Sequence, residues 1–173
     1  MRTATTSEPK VFELKRLSKE GIDGSIEKAE LYRLLNQPQL AESICLDILR
    51  VSPDNQKAAT TLLLALTDQF DSSSSKAARA MSIAKGLEDE YSRIYYSGVI
   101  VERRGAAALK SRTPGADFDA YEWYREAMEF FEKADAINKQ VNNDPILRWN
   151  TCARVIMEHH LSERPADSPS MLE

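Results

Sequence analysis

A short spacing of small and bulky residues recurs along this chain. Its clearest copy lies within residues 127–137, where Ala127 and Ala134 flank Phe131 at helical spacing. Two weaker copies lie upstream, each after a separate helix-like segment: Ala41, Cys45 and Ile48, and then Ala77, Met81 and Ala84. A recurring helical pair is the unit of a solenoid, which buries its apolar faces by stacking. The pattern predicts an all-α, right-handed solenoid whose curved free surface holds another protein.

The composition fits this architecture. The chain has 173 residues, 42% of them hydrophobic, which suits one domain with a substantial core. Only 6 glycines occur among many strong helix formers, so helix is favoured over strand. The formal net charge is −4, and short basic runs such as Arg103-Arg104 are diluted by acids, which does not suit the neutralisation of phosphates. We therefore expect no nucleic-acid partner.

Targeting signals and cysteines bear on the compartment. The opening ten residues lack the apolar core of a secretory signal, and no apolar run approaches the length of a membrane span. Cys45 and Cys152 occupy apolar positions of helical patterns, where buried free thiols are expected rather than a disulfide. The expected location is the cytoplasm, with no membrane partner.

The chain divides into three parts. Residues 1–18 are expected to form a flexible lead with an apolar patch at Val11, Phe12 and Leu14. Residues 19–161 carry the helical periodicity and are expected to form the folded domain. The Pro-rich and Ser-rich residues 162–173 are expected to form a flexible tail.

The domain contains about seven predicted helices. They cover residues 22–35, the segment from Pro38 to a turn at 52–55, and residues 56–70, 76–88, about 94–105, 118–137 and 145–161. Gly98 is costly by helix propensity and is predicted to admit a neighbouring helix closely. Gly105 suits a turn, although residues 106–110 could continue the helix. A loop at residues 71–75 is predicted to supply an N-cap.

The first two helices carry a more specific pattern. Ala29 stands twelve positions before Ala41, which is followed at four and seven positions by Cys45 and Ile48, and residues 53–55 form a turn. This spacing resembles the tetratricopeptide repeat, a 34-residue helix-turn-helix unit. The resemblance implies a stack of antiparallel helix pairs that binds proteins or peptides in its concave groove.

Later units depart from the family pattern. The second has the large Leu63 at the small-residue position, and its second helix comes two residues late. The third has Gly98 and Val101 at family-like spacing, but Ala127 comes seventeen residues late, so the resemblance requires an insertion near residues 106–121. The last helix resembles half of a fourth unit. The likeness covers residues 22–160 as about three and a half degenerate repeats.

The predicted function is that of a protein-interaction adaptor. Helical spacing places on the concave side Ile26, Glu30, Arg33, Thr60, Leu64, Thr67, Tyr95, Val99, Glu102, Arg103, Asn150, Arg154 and Met157. The partner-binding residues predicted from this set are Tyr95, Val99, Glu102, Arg103, Asn150 and Arg154. Arg forms bidentate bonds with carboxylates and Tyr supplies rigid contact area, so the set suits a peptide. Some family members grip a terminal carboxylate with Lys and Asn residues, but the matching positions here are Ile26, Glu30 and Thr61, so no such clamp is expected.

Catalytic and metal chemistry find little support in the sequence. His159 and His160 are adjacent and point about 100° apart on a helix, so they cannot share one metal. The acidic residues 88–90 are expected to form a solvated helix end, and no Gly-rich phosphate loop or nucleophile motif occurs. We expect no enzyme activity, no catalytic residue, no metal and no cofactor.

Two other functions stay open at this stage. The domain could be a homo-oligomerisation module that packs its last helix and the patch at Val11, Phe12 and Leu14 against another copy. It could also be a holding chaperone for one client, a role the resemblance permits.

Overall fold

The computed structural model describes residues 12–70, 75–139 and 142–165. Across these residues it is all-helical, without a β-strand, which confirms the all-α part of the predicted fold class. A short 3₁₀ helix at Lys19–Gly21 precedes seven α-helices in the described ranges. They are α1 (Ile22–Leu34), α2 (Pro38–Val51), α3 (Gln56–Thr67), α4 (Ser75–Lys85), α5 (Glu90–Ser111), α6 (Ala116–Ala136) and α7 (Asp144–Glu158).

Local sequence signals fix several helix starts. Pro38 occupies the first turn of α2, where its missing N–H costs nothing. Asn55 caps α3 by accepting a hydrogen bond from the Ala58 N–H at 2.9 Å, and Asp89 caps α5 by accepting one from the Ser92 N–H at 2.8 Å. These bonds satisfy N–H groups that a helix start otherwise leaves open. The cap predicted at residues 71–75 lies almost entirely outside the described residues.

The helices of the segment predicted as the third repeat have bounds that differ from the expected ones. Instead of turning at Gly105, α5 continues to Ser111, and α6 begins at Ala116 after a short loop. The residues assigned to an insertion at 106–121 therefore lengthen two helices to 22 and 21 residues. Strong helix formers after Gly105 outweigh the cost of one glycine, so the continued helix, rather than the turn, is the alternative that forms.

Consecutive helices pack against one another, and α1 also contacts α3. Two core clusters result. The aliphatic core lies mainly among α1 to α4 and contains Ala29, Ala41, Cys45, Leu62, Leu63, Ala65, Leu66, Ala80, Ala84, Leu87 and Ile100. The aromatic core lies among α5 to α7 and contains Val99, Val101, Ala120, Tyr124, Ala127, Met128, Phe131, Cys152 and Leu161.

Small residues allow the helices to approach closely. A Cβ atom added to Gly98 would lie 2.8 Å from Cε1 of Phe131 and 2.9 Å from Cβ of Phe130, so this glycine admits α6, as predicted. Both cysteines are buried free thiols, which confirms that prediction. Burial raises the pKa of Cys45 to about 11 and that of Cys152 to about 12.

Candidate functional site

A groove of about 520 Å³ lies where α1, α3 and α5 meet. Its volume falls within the range of about 300–1,000 Å³ that is typical of ligand sites. The lining residues are Glu30, Arg33 and Leu34 from α1, Gln56, Lys57, Thr60, Thr61 and Leu64 from α3, and Tyr96 from α5. Apolar, hydroxyl and charged groups therefore converge on one concave surface.

The apolar part of the groove comes from one residue on each helix. Leu34 is 85% exposed beside this concave surface. Leu64 and Tyr96 are partly buried and pack against the aliphatic core, so their positions are fixed by the fold. Exposed apolar area on a rigid base is the kind of surface that gains free energy when a partner covers it.

Tyr96 also offers a polar group to the groove. Its hydroxyl makes no hydrogen bond with any of the described residues. Burial, and after it the neighbouring Tyr95, raises the pKa of Tyr96, so the phenol stays protonated at neutral pH. It is therefore able to donate a hydrogen bond to a ligand carbonyl or carboxylate.

Three ion pairs flank the apolar surface. Lys57 Nζ lies 3.4 Å from Glu30 Oε1 and links α3 to α1 at an exposed edge. Deeper in, Arg33 Nε donates a 2.8 Å hydrogen bond to Asp68 Oδ2, and Arg103 Nη1 lies 3.7 Å from Asp68 Oδ1. One carboxylate thus serves guanidinium groups from α1 and α5, which holds the groove walls in place.

Several residues that were expected on the concave side line this groove, and two do not. Glu30, Arg33, Thr60 and Leu64 were expected on one concave surface, and all four line the groove. Ile26 and Thr67 were expected there too, but both are buried. Ile26 packs with Ile48 and Ala58 at the base of the first hairpin.

The residues predicted on α5 have a different setting. Val99 is 0% exposed in the aromatic core, so its expected exposure to a partner was wrong. It lies next to Gly98, where the close approach of α6 covers the helix surface. Arg103 pairs with Asp68 as described, and its role toward a partner stays a prediction.

Tyr95 and Glu102 on α5 both bind Arg148 of α7. Arg148 Nη1 lies 2.7 Å from Glu102 Oε2, and Arg148 Nε donates to the Tyr95 hydroxyl at 3.2 Å. Burial lowers the pKa of Arg148, but Glu102 and Tyr95 together outweigh this and raise it. Binding of a partner by Tyr95 or Glu102 stays a prediction, since both already have partners within the fold.

The predicted α7 residues lie apart from the groove. The side chains of Asn150 and Arg154 form no hydrogen bond or ion pair with a described residue, and Met157 is exposed. None of the three lines the groove at α1, α3 and α5. Their contact with a partner stays a prediction.

Several groove residues were not predicted, although two of them lie within one helical turn of residues that were. Leu34 stands four positions after Glu30, and Lys57 three before Thr60, so each extends a stripe already identified. Tyr96, rather than the adjacent Tyr95, lines the groove. A step of one residue turns a helix by about 100°, and no sequence signal fixed that angle for α5.

Within the described residues there is no group of three or more His, Cys, Asp or Glu side chains that could hold a metal ion. No helix in these ranges is long and apolar enough to cross a membrane. Comparison with protein-family models, curated proteins and solved structures finds no match to the chain. The described part of the chain thus defines an all-α protein with a polar and apolar groove.

Proposed function

We propose that this protein is a protein-interaction adaptor that binds an extended or helical peptide segment in the groove of α1, α3 and α5. In this proposal the helices form a right-handed stack of antiparallel pairs similar to tetratricopeptide repeats. The observation that carries the proposal is the groove itself, which joins the exposed Leu34 to the unpaired Tyr96 hydroxyl between fixed charges.

The links between alternate helices support a stacked arrangement. Asp68 of α3 binds Arg33 of α1 and approaches Arg103 of α5, and Glu102 of α5 binds Arg148 of α7. Helices two apart along the chain are therefore joined on one side, as stacking of helix pairs requires. The solenoid geometry and the kinship to the repeat family both belong to the proposal.

The ligand expected is a peptide with an apolar side chain and nearby polar groups. Leu34 and Leu64 provide apolar contact, while the Tyr96 hydroxyl is able to donate to a main-chain carbonyl. Because Arg33 and Asp68 are held within the fold, little side-chain order has to be acquired on binding. The buried free thiols are compatible with a reducing cytoplasm, which we propose as the location.

Peptide selection with matched variants tests the proposal. Peptides from a random displayed library would be selected on the wild-type protein and their dissociation constants measured on Leu34→Asp. The substitution places a charge on the apolar surface, and we expect at least tenfold weaker binding, or about 1.4 kcal/mol. Tyr96→Phe removes only the hydroxyl and is expected to weaken the same peptides by about 1 kcal/mol.

The control is Leu31→Asp on the same helix. Leu31 is 52% exposed but does not line the groove, so this variant should bind the selected peptides within about twofold of wild type, a difference below 0.5 kcal/mol. Equal losses in the two aspartate variants would contradict the groove as the site. So would a library that yields no binder sensitive to Leu34→Asp.

Homo-oligomerisation is supported by a separate observation. Large apolar side chains are exposed at both ends of the described chain: Phe12, Leu14, Leu31, Leu35 and Leu40 near the start, and Ile146, Leu147 and Met157 on α7. Val11 of the predicted N-terminal patch lies outside the described residues. A mass that rises with concentration in sedimentation analysis would favour this function over the adaptor.

A further inference from the structure

A second, smaller cavity lies between α6 and α7. It has a volume of about 180 Å³ and shares no residue with the groove of α1, α3 and α5. Its lining consists of four apolar residues, Phe131, Pro145, Ile146 and Trp149, and two acidic ones, Glu132 and Asp135. An apolar floor therefore meets an acidic rim.

The floor is a fixed part of the fold. Phe131 is 1% exposed at the centre of the aromatic core, and Pro145 is fully buried at the start of α7. Trp149 packs against the same core and donates a hydrogen bond from Nε1 to Oε1 of Glu132 at 2.8 Å. That bond fixes the indole ring and one rim carboxylate together at the cavity.

The two carboxylates of the rim form no ion pair among the described residues. Neither Glu132 nor Asp135 has a Lys or Arg nitrogen within 4 Å among the described residues. Lys133, which lies between them in sequence, pairs with Glu129 one turn back. The two carboxylates stand three positions apart on α6, so they lie on the same side of the helix.

The size of the cavity limits what it can hold. Sites that enclose a small molecule or cofactor usually measure about 300–1,000 Å³, well above this volume. A single side chain is a better match. Lys and Arg bury their methylene stems on apolar surface and keep the charged group at the edge, where an aromatic face and carboxylates stabilise it.

We propose that this cavity is an anchor site for one lysine or arginine side chain of a partner protein. The stem lies on the exposed Ile146, above the buried Phe131 and Pro145, and the cation lies between Trp149 and the carboxylates of Glu132 and Asp135. This surface is independent of the groove of α1, α3 and α5, so it stands whether or not a peptide binds there.

Trp149 provides a direct reporter. The indole N–H resonance of Trp149, assigned against the Trp123→Phe variant, would be followed by NMR during titration with N-acetyl-arginine amide and N-acetyl-lysine amide. N-acetyl-norleucine amide has a comparable stem without charge. We expect saturable shifts from the two cationic probes and at least tenfold weaker binding of the neutral one.

Variants of the rim test the charge. Asp135→Asn is expected to weaken both cationic probes about threefold to fivefold, the range of an exposed ion pair. Glu132→Gln removes the charge but keeps an oxygen that accepts from Trp149, and combined with Asp135→Asn it is expected to reduce binding about tenfold or more, since both rim charges are lost. Glu122→Gln, an exposed position on the same helix away from the cavity, should change nothing.

Three outcomes would overturn the proposal. The neutral probe could bind as tightly as the cationic ones, which would make the cavity a simple apolar pocket. The cationic probes could bind the double variant as well as wild type. Finally, neither cationic probe could shift the Trp149 resonance up to its solubility limit. The single Asp135→Asn variant keeps the test open if the double variant loses its fold.

Discussion

The cores of the two halves of the molecule consist of different residue types. In α1 to α4, helices of 11 to 14 residues pack through alanine and leucine in the aliphatic core. In α5 to α7, helices of 15 to 22 residues pack through Tyr124, Phe131 and other rings in the aromatic core. Short helices with small residues lie close together but leave leucines such as Leu34 uncovered. The second half also leaves apolar side chains exposed, such as Leu147 on α7.

The ion pairs follow the same division. In the first half, Glu42 gathers Gln69, Lys76 and Arg79 around one carboxylate between α2 and the start of α4. In the second half, Arg148 binds Glu102 and Tyr95 against the aromatic core. The first half thus has its cluster of charges at the contact of α2 with α4, whereas the second half has its ion pair beside the aromatic core.

The largest expected effect separates the two cores. Phe131→Ala removes a fully buried ring and is expected to destabilise the protein by about 3–5 kcal/mol, while Leu63→Ala in the aliphatic core should cost about 2–4 kcal/mol. Chemical denaturation of both variants measures the difference. A cost for Leu63→Ala equal to or above that of Phe131→Ala would show that the aromatic core does not dominate stability.

Two glycine substitutions, one in each half, are expected to change the free energy of unfolding in opposite directions. A Cβ on Gly98 would meet the ring of Phe131 and the Cβ of Phe130, so Gly98→Ala should cost about 1–2 kcal/mol despite its gain in helix propensity. Gly24 in α1 has no atom within 4 Å of an added Cβ, so Gly24→Ala should stabilise by about 0.5–1 kcal/mol. Thermal and denaturant unfolding of the two variants provide the test. A Gly98→Ala variant as stable as wild type, or more stable, would contradict the close approach of α5 and α6.

A smaller effect concerns acid stability of the first half. Burial raises the pKa of Glu42, but the hydrogen bond from Gln69 and the charges of Lys76 and Arg79 outweigh it, so the pKa lies below its ordinary 4.5. A carboxyl whose pKa is lower in the folded state adds stability above its unfolded pKa and loses it as pH falls through the folded value. We expect Glu42→Gln to cost about 0.5–1 kcal/mol at pH 7 and nothing at strongly acidic pH.

The matched control for this pH dependence is Glu129→Gln. Glu129 pairs with Lys133 at 3.9 Å on an exposed face of α6, so its loss should change stability by less than about 0.5 kcal/mol at any pH. Free energies of unfolding measured from pH 7 to acid on both variants would decide. A pH-independent cost for Glu42→Gln would show that its charge is not what stabilises α2 against α4.

Helical periodicity carried most of the fold. The apolar stripes placed seven helices with errors of a few residues, and Pro38 and Asn55 marked real starts because caps act locally. At Gly105 the sequence allowed either a turn or a helix that continues through residues 106–110, and α5 follows the second alternative.

The candidate site was only partly accessible to the same reasoning. Residues one turn apart on α1 and α3 were found because a single helix fixes their relation. The choice between Tyr95 and Tyr96 depends on how α5 is rotated against α3, which tertiary packing decides. Val99 was misplaced for the same reason. The cavity at Trp149 depends on how α7 packs against α6, which no local pattern fixed.

The absence of a side chain at Gly98 has a consequence for the alignment of α5 with α6. Two helices of similar length and composition could slide past each other by a turn and still bury apolar rings. Within α5 two positions lack a Cβ, Gly98 beneath Phe131 and Gly105 beneath Tyr124, and the two glycines, like the two rings, are separated by seven residues. A slide by one turn would press both rings onto positions that carry a Cβ, so the two glycines together select one pairing of the two helices.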